Sequence, residues 1–254
     1  MTFRCLLEYD GSYFKGWQRQ SNGISIQATM EETLEKLVGY RVPVYGASRT
    51  DSGVHARGQV AHFRLKKGNP IPVDRWRRAI NYYLPRYLRV REIDVVDDSF
   101  NAQKRVISKI YSYRIINGQV CSALDTRVLH HPRRLDWPAM QAAMPYFVGT
   151  HDFKSFQGAK STVKTSVRTI FRFDLHRERD MYVFHVEGSG FLKQMIRTIM
   201  GTLLDIGEGR RLALSMPSLL AARDRRLAGR TAPAHALCLE AIYYEGEGHD
   251  VPPG

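Results

Sequence analysis

The hydrophobic and polar positions of this chain change period in an order that repeats. Thr2 to Tyr9 alternate as a half-buried strand does, and Asp10-Gly11 breaks the run before a loop from Ser12 to Gly23 that carries Tyr13, Phe14, Lys15, Trp17, Arg19 and Gln20. The period then lengthens. Ile26, Met30, Thr33, Leu34 and Leu37 recur at helical spacing, Ser25 stands where an N-cap belongs, and Gly39 follows the last periodic position, so a helix is predicted to Val38. Val42 to Ala47 and Gln59 to Leu65 read as strands, Asp74 as the cap of a second helix reaching Leu84, and Leu88 to Val96 as a returning strand. The order is β-α-β-β-α-β.

The second half repeats it. A strand is predicted from Val106 to Ile116, then a helix from Asp136 to Phe147 on which Trp137, Met140, Met144 and Phe147 share a face. Strands from Val167 to His176 and Met181 to Val186 face each other across Arg177 to Asp180, followed by a helix from Phe191 to Ile206 and a strand from Leu237 to Tyr244. This repeat predicts an α+β protein of two tandem ferredoxin-like halves, whose antiparallel sheets carry helices on one face and leave the other open. The break at Ser99 to Lys104 divides them into residues 1–103 and 104–246. Residues 117–134, 157–166 and 207–230 read as loop-rich insertions, and 247–254 as a disordered tail.

Charge narrows the partner. Thirty-eight Lys and Arg stand against 25 Asp and Glu, a net charge of +13 that favours a polyanion. From Arg75 to Arg91 six arginines occur without an acid, interleaved with Trp76, Tyr82, Tyr83 and Tyr87, a mixture suited to phosphate contact and base stacking. A solvated helix face with its aromatics turned into the core has the same composition. Cys5, Cys121 and Cys238 are widely spaced and form no C-x-x-C pair, so buried thiols are expected rather than disulfides or a zinc site, and the nine histidines lack metal-ligand spacing. No Walker loop, G-x-G-x-x-G or G-x-S-x-G occurs, which removes support for a nucleotide cofactor or a serine hydrolase. No apolar run approaches a membrane span, and the N-terminus lacks the order of a signal peptide, so a cytoplasmic protein is expected.

Candidate chemistry concentrates in one stretch. Tyr45 to His62 reads YGASRTDSGVHARGQVAH and sets one carboxylate, Asp51, between Arg49 and Arg57. Gly46, Ala47, Ser48, Ser52 and Gly53 leave little bulk beside Asp51, so a substrate can approach the backbone closely. On local grounds the same letters also read as an Asx-type turn between two strands, and both readings stand at this point.

Read as R-T-D-x-G-V-H-A, the stretch closely resembles the central motif of the tRNA pseudouridine synthase I (TruA) family, in which that Asp is catalytic. The resemblance extends through YDGSYFKGWQRQ, IYSYRI, HDFKSF, GSGFLKQMIRTIMG and APAHALCL, nearly the whole chain. Ser48 stands where the family often has Gly, as does Ala236. The second difference matters only if the backbone there needs a positive φ. The resemblance implies a cofactor-free and metal-free isomerase that converts uridine to pseudouridine at tRNA positions 38 to 40. It also implies a central RNA-binding cleft and a homodimer as the working form. Carried over residue by residue, Asp51 is the nucleophile, Arg197 of the M-I-R run its ion partner, and Tyr111 of I-Y-S-Y-R the active-site tyrosine, with Tyr113 on the same strand face. Arg49 holds the extruded nucleotide or fills its gap, and Leu237 closes the base pocket. From the residues alone, Arg197 equally reads as an exposed helix arginine, Arg49 as a loop arginine, and Tyr111 and Leu237 as core. A noncatalytic basic RNA-binding protein and a different uridine-modifying enzyme are the alternatives, and the first has no need of an Asp set among small residues and arginines.

Overall fold

The computed structural model of the chain describes residues 1–66, 71–159 and 163–247. In chain order its principal elements are β1 (Thr2–Tyr9), α1 (Ile26–Val38), β2 (Val44–Gly46), β3 (His55–Arg64), α2 (Trp76–Tyr83), β4 (Leu88–Val96), β5 (Val106–Asn117), β6 (Leu129–His131), α3 (Trp137–Ala143), β7 (Gly149–Asp152), β8 (Val167–Glu178), β9 (Met181–Gly188), α4 (Met195–Gly207), α5 (Met216–Ala222) and β10 (Leu237–Tyr244). The fold is mixed α+β with mostly antiparallel strands, divided into two compact units.

The first unit comprises Met1–Ile107 and Cys238–Glu247. Its strands run β4-β1-β3, antiparallel throughout, and β3 shares its other edge between β2, antiparallel through Tyr45 and His62, and β10, parallel through Cys238 and His55. The alternation predicted for β1 holds: Phe3, Cys5, Leu7 and Tyr9 are buried, whereas Arg4, Leu6 and Glu8 are half-buried. β3 is buried at all but two positions because it is central, and it begins at His55, within the motif, four residues before the predicted start. Phe3, Phe63 and Trp76 pack at ring distances of 5.1 to 6.2 Å, and α1 lays Ile26, Met30 and Leu34 into the same core. The caps of α1 are those expected: Ser25 accepts the Ala28 N–H, and Gly39 takes a φ of 75°.

The second unit, Ser108 to Leu237, orders its strands β5-β9-β8-β7, all antiparallel, with β6 parallel to the end of β5. Phe147, Phe153, Phe156 and Phe184 are fully buried there. α4 is buried on every side except at Arg197 and Asp205, although its sequence had suggested one apolar face.

Several predicted boundaries move, each for a local reason. Asp74 does not cap α2. It lies in a 3-10 turn that starts after Pro72, whose fixed φ sets the entry, and α2 follows Arg75 with no side-chain cap. The helix after Asp136 ends as α-helix at Ala143 and tightens to a 3-10 turn, because Pro145 can neither donate a hydrogen bond nor clear the preceding turn. α4 begins at Met195, not Phe191, since Gln194 takes a left-handed φ of 59°. The stretches read as loops contain β6 and α5, and β7 follows the 3-10 turn. Cys121 is half-exposed, unlike buried Cys5 and Cys238. The tail expected over 247–254 lies, beyond Glu247, outside the described residues.

The closeness of β3 to β10 yields a test. A Cβ at Gly58 would stand 2.2 Å from the Glu240 carbonyl oxygen and 3.0 Å from Ala241 Cα, both backbone atoms that cannot swing away. Gly58→Ala is therefore expected to cost about 1–3 kcal/mol of stability, measured as a lower urea midpoint at unchanged slope. A cost below about 0.5 kcal/mol, the range of neutral surface changes, would show that the two strands can separate freely there.

Candidate active site

The loop from Ala47 to Val54 leaves β2 and enters β3, and almost every part of its backbone is held. Ala47 donates to the Val60 carbonyl at 2.8 Å. Gln59, fully buried on β3, clamps Ser48 from both sides: its Oε1 accepts the Ser48 N–H at 3.1 Å, and its Nε2 donates to the Ser48 carbonyl at 2.7 Å. The same Nε2 donates to the Tyr9 hydroxyl at 3.3 Å, which shares a 2.8 Å bond with the Thr50 hydroxyl. Thr50 further accepts the Trp17 N–H at 3.1 Å, and Val54 closes the turn onto the Asp51 carbonyl at 3.1 Å. On the far side, the Phe14 carbonyl receives the Gly53 N–H and the Ser52 hydroxyl, each at 3.4 Å.

Small residues make this packing possible. Gly53 sits at φ 82°, which favours glycine. Gly16, at φ 94°, lets the Trp17 segment approach so closely that a Cβ would stand 2.8 Å from the Thr50 carbonyl and 3.2 Å from the Asp51 carbonyl carbon. His55, at the start of β3 and buried, lies 3.1 Å through Nδ1 from the Gly11 N–H, tying the loop's exit to the end of β1. The result is an alternating loop: Ser48 and Thr50 point inward, Arg49 is exposed, and Asp51 is half-buried. Among the described residues the Arg49 side chain has no hydrogen bond or ion pair. The Asx-turn reading and the site reading are thus compatible, because Asp51 occupies a turn whose shape other residues maintain.

The remaining candidates belong to the second unit. Tyr111 is buried on β5, opposite Val186, with its ring edge-on to Phe191 at 5.4 Å. Tyr113, two residues on, donates its hydroxyl to the Pro233 carbonyl at 3.1 Å. Burial pushes its phenol well above the ordinary range, against the opposing charges of Arg197 and Arg230, so it stays protonated at neutral pH. Arg197 is not an exposed helix arginine. It is half-buried, its Nε donates to the Ala232 carbonyl at 2.8 Å, and its own carbonyl accepts the Ala232 N–H at 2.9 Å. Leu237 is buried at the first position of β10. Ala236 has no positive φ, so the alanine there is unstrained. The structure therefore groups Arg49 with Asp51 on one loop, and Arg197 with Tyr113 about the Ala232–Pro233 turn.

Sequence reading missed the supports: Tyr9, Gly16 and Gln59 act through contacts up to 50 residues apart, for which no local signal exists. It also passed over Lys109, which precedes Tyr111 on the same strand face and whose ammonium is lowered to about 8 by burial and then by the charge of Arg168. Among the described residues no cluster of His, Cys, Asp and Glu could hold a metal, and no helix is long and apolar enough to cross a membrane.

Comparison with known proteins identifies the family. The profile of the tRNA pseudouridine synthase family matches residues 6–103 and 143–245, and so covers the Asp51 loop, Arg197 and Leu237. Proteins named tRNA pseudouridine synthase A are similar over nearly their whole length. That of Acetivibrio thermocellus is 44% identical over 242 residues, 95% of this chain and 98% of that one. That of Brevibacillus brevis is 41% identical over 242 residues, with the same coverage. That of Clostridium kluyveri is 39% identical over 244 residues, 96% of this chain and 99% of that one. With a held carboxylate loop in the first unit and this likeness along both, the chain belongs to the tRNA pseudouridine synthase family of isomerases.

Proposed function

We propose that this protein isomerises uridine to pseudouridine at positions 38 to 40 of tRNA, in the anticodon arm, without a cofactor and with Asp51 as the nucleophile. The observation that carries this reading is the loop. A half-buried carboxylate flanked by small residues stands on a backbone that Gln59, Tyr9, Trp17 and Phe14 hold from both sides. Such a carboxylate needs little reorganisation when a base arrives, which is what a nucleophile or electrostatic stabiliser requires.

The reaction breaks the C1′–N1 glycosidic bond, turns the uracil and rejoins it to the ribose through C5. The proton lost from C5 is balanced by one gained at N1, so there is no net redox change or hydrolysis. Asp51 adds to C1′ or to the base, or assists an elimination, and in each case stabilises an electron-poor centre. The chemistry also needs a cation to keep the carboxylate ionised beside phosphates, an acceptor for the C5 proton and an apolar wall for the base. We assign these to Arg197, Tyr111 and Leu237. Supporting the assignment, Arg197 is oriented by Ala232, Leu237 is buried, and Tyr113, the other tyrosine of the strand face, has its hydroxyl committed to Pro233. Arg49, exposed and unpaired among the described residues, is assigned to capture of the extruded nucleotide.

The same reading takes the chain as two tandem ferredoxin-like halves, 1–103 and 104–246, working as a homodimer in the cytoplasm. The order β4-β1-β3, with β2 on the other edge of β3 beside β10, supports the first half of that arrangement.

Incubation with tRNA and no added cofactor, followed by nucleoside analysis, tests the reading directly, and absence of pseudouridine would refute it. Asp51→Asn is expected to lower single-turnover rates on the order of 10³-fold or more while leaving tRNA affinity within a few-fold, since it removes one charge among many contacts. Turnover near that of the unchanged enzyme would remove Asp51 from the chemistry, and a loss of near-ultraviolet circular dichroism would return it to the turn-forming role.

Arg49→Ala is expected to slow the reaction more on a paired target uridine than on one already unpaired. Extruding a base costs a few kcal/mol of unstacking and unpairing, and a guanidinium that fills the gap or grips the phosphate offsets part of it. Single-turnover rates that fall by the same factor on both substrates would instead place Arg49 at the bond-breaking step.

A further inference from the structure

The face of α2 that looks away from the core carries a feature the fold does not explain. α2 buries Trp76 and Ile80, one turn apart, and Trp76 alone of its aromatics packs against Phe3 and Phe63. Tyr82 is 81% exposed, and among the described residues its ring meets that of Tyr83, itself 47% exposed. Arg75, Arg78 and Tyr82 recur at spacings of three and four, so they fall on one stripe. The six arginines of this segment divide in two. Arg77 and Arg89 donate to neighbouring carbonyls and Arg91 pairs with Glu8, whereas the exposed side chains of Arg75, Arg78 and Arg86 make no hydrogen bond or ion pair among the described residues. The outer face of α2 and the residues after it thus present to solvent two exposed tyrosine rings and three guanidinium groups, a combination that suits a polyanion carrying bases.

The segment that follows α2 packs towards the Asp51 loop within the same unit. Tyr87, just beyond α2, stacks on Tyr13 at 4.2 Å and 6°, accepts the Asp10 N–H at 2.9 Å, and meets Phe14 edge-on at 5.4 Å. Phe14 is the residue whose carbonyl holds Gly53 and Ser52. A chain of contacts therefore links the loop of the candidate nucleophile, through Phe14, to Tyr87 four residues beyond the end of α2.

We propose that this surface, Arg75, Arg78 and Tyr82 with Arg86 beside them, binds the phosphate ribbon and one unstacked base of the substrate tRNA outside the arm that carries the target uridine. The inference rests on the tRNA reading above. Arginines matched to phosphates and an exposed ring matched to a base face are the two chemistries that hold RNA without reading its sequence. The surface thereby sets which RNA is engaged, and the Asp51 loop sets what is done to it.

The test compares the unchanged protein with Arg75→Ala/Arg78→Ala/Tyr82→Ala on two substrates, full-length tRNA and a hairpin of the anticodon arm alone. The triple variant is expected to raise KM for tRNA roughly tenfold with kcat unchanged, and to leave kcat/KM for the hairpin within about twofold. The log-log salt slope of tRNA binding is expected to fall by about 1.5, the contribution of two phosphate contacts. Arg75→Lys/Arg78→Lys/Tyr82→Phe, which keeps charge and ring, is expected to restore most of both. Equal losses on tRNA and hairpin would overturn the proposal, as would no loss on either. If the unchanged protein forms pseudouridine in neither substrate, the functional reading fails, while the tRNA dissociation constant and salt slope of the two variants still decide whether this surface binds RNA.

Discussion

A primary amide buried inside a strand costs several kcal/mol unless its donors and its acceptor are all used. Gln59 meets that condition only through the loop that carries Asp51: both Ser48 backbone groups and the Tyr9 hydroxyl complete its bonding. The dependence runs both ways. A loop of Gly, Ala and Ser has little side-chain packing of its own and large conformational entropy to lose, so its shape must be imposed from a rigid element. β3, central in its sheet and buried nearly throughout, supplies that rigidity, and Gln59 transmits it.

From that contact the rest of the site follows. Tyr9 reaches Thr50 because the ladder between β1 and β3 shifts register between Leu7 and Tyr9, turning the end of β1 toward the loop. Gly16 and Trp17 then close the opposite side, and Gly46 gives Trp17 room, since a Cβ there would stand 2.3 Å from its ring. Gly16 and Gly46 serve a neighbour's approach, and Gly16 and Gly53 take a left-handed backbone. The carboxylate ends up half-buried, so its charge is partly shielded from solvent while the group remains accessible.

Local rules were legible where the cause is local. Ser25 and Gly39 bound α1, and alternation marks β1, because capping and pleat depend on residues only a few positions apart. Pro145 and Gln194 moved helix ends for reasons visible only once backbone conformation is known. β6 and α5 are too short to show a period. The motif around Asp51 could be read as special, but not what holds it, since Gln59 looks like an ordinary polar position in a strand until Ser48 and Tyr9 are seen beside it. Likewise the apolar run of α4 hid that the helix is buried everywhere but at Arg197 and Asp205, and that Arg197 itself is half-buried.

The two arginines assigned to the reaction differ in how much freedom they retain, and the difference suits their roles. The Ala232 carbonyl holds Arg197 through Nε, so much of its side-chain entropy is lost on folding rather than during catalysis, as suits a charge that must stand in a fixed direction while electron density shifts. Arg49 is exposed, and no described residue engages its side chain, so its side-chain entropy is not lost on folding, and in the capture role proposed for it the ordering would come with the RNA. A group that must follow a nucleotide out of its stack gains reach from that freedom, at a cost of about 0.5–1.5 kcal/mol when it is finally immobilised. That cost is smaller than the unstacking it offsets, so the fold can leave this arginine loose while it fixes the backbone on either side of it.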